Sequence, residues 1–186
     1  MPLQLITPPA IEPVTLAEAK AHLKVDVTGD DALIGALIAA ARARAEWHTG
    51  RAFITQSWVL WLDNWPERNC VEIPLPPSQA VTSFTIYATD DTATVLDASL
   101  YRVDISSGPA RIALKSCALV AGLRPLNAVA IAFNAGYGDN ASDVPQAIRT
   151  AILEIVAGLY TNRGDVAADP PQTAMAMLAP YRVMQL

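Results

Sequence analysis

The period of the apolar residues changes twice along this chain, and that change limits the folds open to it. Before Gly50 and again after Asp143 the apolar positions recur every three or four residues, as on one face of a helix. Between Phe53 and Tyr137 they alternate, and β-branched and aromatic residues become common, as in strands. The pattern predicts an α+β fold in which a small bundle of N- and C-terminal helices brackets an antiparallel β insertion. A length of 186 residues with 52% hydrophobic content fits one domain with a real core. The expected parts are helices over 15–50 and 144–163, a β-rich insertion over 53–137, and a C-terminal docking tail over 173–186, together one domain spanning 1–186.

Three helices are marked by their ends. Thr15 and Glu18 form a capping box ahead of Leu16 to Lys24, with Pro13 stopping extension backwards. A second helix follows Gly29, has Asp30 and Asp31 in its first turn, and carries Leu33, Ile34, Leu37, Ile38, Ala41 and Ala45 until Gly50 stops it. Trp47 reads as an anchor at its end, and Arg42 with Arg44 as a solvated face. Asp143 and Gln146 form a second expected capping box, before a helix lined by Ile148, Ile152, Ile155 and Leu159. Gly158 costs that helix about 1 kcal/mol relative to Ala, which calls for a packing reason. In the middle, strands are expected around Trp58–Leu62, Phe84–Ile86, Tyr101–Ile105 and Val129–Phe133, with turns at Asp90-Asp91 and Gly108-Pro109.

The final segment, Thr173 to Leu186, has eleven apolar or Pro positions and one charge, Arg182. A solvated tail would be polar. This one is patterned to dock, with Met175, Met177 and Met184 as adaptable surface and Leu178, Pro180, Tyr181, Val183 and Leu186 as further contacts. Folding back on the chain's own core is the alternative. Pro180 marks the change from a short helix to an extended end, and the loop from Asn162 to Pro171 is expected to hold the tail off the body.

No catalytic constellation emerges. His22 and His48 have no neighbouring ligand at metal spacing, Gly136-Tyr137-Gly138-Asp139 reads as a strand-ending turn, and Asp139 with Asp143 lacks a calcium-loop pattern. Neither a cofactor nor a metal is expected. Trp58, Trp61 and Trp65 read as core or interface aromatics. Cys70 and Cys117 stand outside any CxxC arrangement and are expected as reduced thiols. A net charge of −5 argues against a protein that grips nucleic acid. With no cationic leader and no apolar run long enough to cross a bilayer, a cytoplasmic origin and no membrane partner are expected.

The blocks Thr15-Leu16-Ala17-Glu18-Ala19-Lys20, His22-Leu23-Lys24-Val25, Asp31 to Arg42 and Thr49-Gly50-Arg51 resemble the N-terminal region of head-tail connector (adaptor) proteins of long-tailed phages and prophages. Phe133-Asn134-Ala135-Gly136-Tyr137-Gly138, Val144-Pro145, Ala147-Ile148-Arg149 and Leu178-Ala179-Pro180-Tyr181-Arg182 are similar to its later signatures. The resemblance implies a structural virion protein rather than an enzyme. It further implies a ring, typically of twelve subunits, beneath a portal protein whose contact is the C-terminal segment. A stopper or tail terminator would lie on the tail side, and DNA would pass through the channel without specific binding. Gene transfer agents, which are phage-like particles, suit the same resemblance. Another neck ring component, or a small-ligand protein with a pocket between sheet and bundle, is the competing expectation.

Overall fold

A computed structural model describes residues 2–116, 120–162 and 169–183. Cys117 therefore lies outside the described residues, as does most of the loop expected to carry the tail. The fold is α+β, and the chain divides into two compact units, Met1–Pro9 with Thr55–Tyr137, and Ala10–Ile54 with Gly138–Leu186.

The first unit holds two antiparallel sheets. In the larger, strands β1 (Leu3–Thr7), β2 (Gln56–Leu62), β4 (Ser78–Tyr87), β5 (Ala93–Val95) and β8 (Val129–Ala135) run in the order β1-β2-β8-β4-β5. The smaller is β3 (Cys70–Ile73), β7 (Ala110–Leu114) and β6 (Tyr101–Asp104), in that order. Alternation along β7 buries Ala110, Ile112 and Leu114 and turns Arg111 outward, directly across from Glu72 of β3. Phe84 of β4 stacks on Trp65 and meets Tyr101 of β6, with ring centroids 5.3 and 5.4 Å apart, so aromatic packing ties the smaller sheet to the larger. The β4–β5 hairpin turns at Asp90-Asp91 as expected, with Asp91 at φ 64°, and the β6–β7 connection contains Gly108-Pro109. Strand β1 was not anticipated. Its five residues lie between Pro2 and Pro8, too few to display a period, and its pairing with β2 is what makes them a strand.

The second unit packs helices α1 (Leu16–Leu23), α2 (Asp31–Thr49), α3 (Gln146–Thr161) and α4 (Gln172–Leu178). Ile34, Ile38, Ala41 and Ala45 of α2 are buried in the same unit as Ile148, Ile152 and Ile155 of α3. The Thr15–Glu18 box is formed, and Gly50 closes α2 at φ 68°. Two expectations are corrected. Asp143 does not cap α3, whose N-cap is Pro145; its carboxylate instead accepts from the Asn140 backbone N–H, closing a 3₁₀ turn over Ala141–Asp143. Gly138 is the reason the turn fits: a Cβ there would lie 2.2 Å from the Asp143 Oδ2. Arg42 is not on a solvated face, because it donates to Glu12 at 2.7 Å and Glu46 at 2.6 Å, and its side chain is 14% exposed. Gly158 faces the Pro171 ring, but an added Cβ would lie 3.4 and 3.6 Å from its carbons, an ordinary contact, so this neighbour does not demand a glycine.

Candidate functional site

The C-terminal segment folds back on its own unit, the alternative to a tail held off the body. Helix α4 lies against α3, and Ala174 and Leu178, four residues apart on one face, are fully buried. Leu178, expected among the docking side chains, therefore belongs to the core of the helical unit. Met175 and Met177 are half-buried. The helix runs through Leu178 into a 3₁₀ turn over Ala179–Tyr181 with Pro180 exposed in it, and Arg182 is extended at φ −65°, ψ 128°, so the change of conformation falls around Pro180 as expected. Arg182 is exposed and Tyr181 and Val183 are half-buried. Met184 and Leu186 lie outside the described residues.

Three consecutive residues hold the end of this segment. The last carbonyl of α2, on Thr49, lacks an intrahelical partner by geometry and accepts the Val183 N–H at 2.8 Å. The Val183 side chain rests on Gly50, 3.5 Å from where a Cβ would stand. The Arg51 Nε donates to the Tyr181 carbonyl oxygen. These contacts bridge about 130 residues of chain, which is why no local pattern announced them.

A second feature is the outward side of α2. Leu33, Ala36, Ala40, Ala43 and Trp47 follow one another at spacings of three and four residues, and all five are exposed, Leu33 at 38% and Trp47 at 85%. The helix is thus apolar on two faces, one in the core of its unit and one in solvent. Trp47 is not the helix-end anchor expected of it. The spacing was visible in the sequence, but it merged with the buried stripe and gave a helix apolar nearly all round.

Chemistry is sparse. Among the described residues no group of three or more His, Cys, Asp or Glu converges as metal ligands. An open depression beside the β4–β5 turn, lined by Asp91, Arg124 and Asn127, is filled on one side by Arg124, which stacks 4.0 Å over Tyr87 and pairs with Asp91 at 3.2 Å. His22 stands on α1, 4.0 Å from Glu154. No described helix is long and apolar enough to cross a membrane.

Residues 13–100 match the family described as phage gp6-like head-tail connector proteins. The match covers 88 of the chain's 186 residues. The match takes in α1, α2 and strands β2 to β5, including the Thr15–Glu18 box, Trp47 and the Thr49-Gly50-Arg51 corner. The likeness to solved structures extends over the rest of the chain. A chain from the neck of an empty gene transfer agent particle computed with C6 symmetry is 26% identical, with a TM-score of 0.82. One from the virion of a native gene transfer agent particle is 25% identical at 0.83, and one from a native particle neck computed with C12 symmetry is 26% identical at 0.80. In each comparison the match covers 100% of this chain and 97% of the other. No curated protein sequence matches this chain.

Proposed function

We propose that this protein is a head-tail connector, a structural subunit of the neck of a phage-like particle, and that it works as one of a ring of identical copies between the portal and the tail. The observation that carries the reading is the second apolar face of α2. A helix apolar on two sides is stable in solution only at a cost unless a partner covers both, and an exposed Trp is the residue type most often found to anchor an interface. Cyclic assembly needs such surfaces, since each subunit must offer neighbours two different faces. The likeness to chains from necks computed with C6 and C12 symmetry supports a ring, and C12 agrees with twelve copies. The net charge of −5 suits a channel wall that passes DNA without holding it.

In this reading the C-terminal segment meets the portal through its accessible side chains, Tyr181, Arg182 and Val183, with Met175 and Met177 at the margin, and a stopper or tail terminator adjoins the opposite side. The role is assembly rather than catalysis. Removing Ala179 to Leu186 and measuring capture of the subunit by its portal tests the docking: capture is expected to be lost, and unchanged capture overturns it. Electron microscopy of assembled particles tests the ring, which a single copy per neck would refute.

A further inference from the structure

We infer that the Thr49-Gly50-Arg51 corner is a clamp that presets the C-terminal docking segment in the free subunit, with Arg51 as its positioning residue. The inference rests on the portal-docking reading above and adds to it how the segment is held before it docks. An apolar chain end that ordered only on contact would lose backbone and side-chain freedom at that moment, weakening the contact. Here residues 181–183 are already held by the Thr49 carbonyl, the Gly50 surface and the Arg51 guanidinium.

Each part of the clamp has a specific requirement. Gly50 stands at φ 68°, so a side chain there would be strained, and its bare backbone gives Val183 a flat seat. The Thr49 carbonyl points out of the end of α2, so pairing it with Val183 satisfies a group the helix cannot. Arg51 reaches back to the carbonyl of Tyr181, one residue after Pro180 and one before the extended Arg182. Leu178 anchors the segment on one side of the 3₁₀ turn and the clamp holds it on the other, so the turn is fixed at both ends with Pro180 exposed between them. The side chain of Arg182 remains in solvent while its neighbours are held. The arrangement presents a charged side chain at a defined position, with no reorganisation needed on contact.

The test uses the full-length subunit and the portal ring of the same particle. Arg51→Ala opens the clamp without altering any docking side chain. In the wild type the Val183 amide is expected to be protected from hydrogen exchange. Arg51→Ala should raise its exchange rate at least about tenfold and weaken portal binding by roughly tenfold, equal to about 1.4 kcal/mol, while protection in α2 and α3 is unchanged. An unprotected Val183 amide in the wild type overturns the clamp. So does unaltered portal affinity in Arg51→Ala when removal of Ala179 to Leu186 abolishes binding. Unaltered binding after that removal overturns the docking reading itself, and the two failures are thereby told apart.

Discussion

Arg42 lies between the carboxylates of Glu12 and Glu46, and Glu46 also accepts the Phe53 backbone N–H at 2.9 Å. Burial opposes the charge on Arg42, but the hydrogen bond to Glu12 and the two carboxylates more than compensate, raising its pKa. Arg42→Ala would leave two carboxylates facing each other with no cation between them and is expected to cost about 3 kcal/mol, read from urea unfolding; a loss below about 1 kcal/mol would return Arg42 to the solvated face. Glu18 is gentler. The Thr15 backbone N–H, opposed by burial and helped by the Thr15 hydroxyl and Arg149, holds its carboxyl below the ordinary 4.5. A lowered carboxyl stabilises the fold above its unfolded value, and that contribution is lost as the pH falls through the folded value. Glu18→Gln is therefore expected to cost roughly 0.5–1 kcal/mol near pH 7, discounted for a side chain 42% exposed, and progressively less as the pH falls below the ordinary carboxyl value. A cost that does not change with pH would contradict the assignment.

Helix α2 carries the strongest prediction about assembly. Trp47→Glu replaces an exposed side chain, so the free subunit should keep its stability within about 0.5 kcal/mol. Ring formation with the portal present, followed by native mass spectrometry, should be lost. A ring formed as readily as by the wild type would show that this face of α2 is not an interface. Elements differ in how far their own residues announce them. The Thr15–Glu18 box and the Gly50 stop were legible because capping and left-handed closure depend on four or five neighbouring residues. Strand β1 was not, since its partner β2 lies about fifty residues away, and the cap expected of Asp143 went instead to a turn that only the missing Cβ of Gly138 permits.

The two compact units alternate along the chain, and the helical unit's own residues flank the Thr55–Tyr137 insertion. Ile54 and Gly138 form a parallel bridge, which puts the two ends of the insertion side by side. Replacing Thr55 to Tyr137 with a Gly/Ser linker of about five residues is expected to leave a helical unit that melts cooperatively by circular dichroism. Loss of the cooperative transition would mean that the sheet unit is needed for the helices to fold. Periodicity, caps and turns in the amino-acid sequence determined the class of fold, helices α1, α2 and α3 and four of the eight described strands, because each is set by residues within a turn or two of one another. Only the tertiary structure decided that Leu178 is core, that Trp47 is exposed, that Arg42 is enclosed by acids, and that the chain's end is held at Gly50. Those outcomes depend on contacts between segments up to about 130 residues apart, as from Arg51 to Tyr181, and no local pattern encodes which distant surface a side chain will meet.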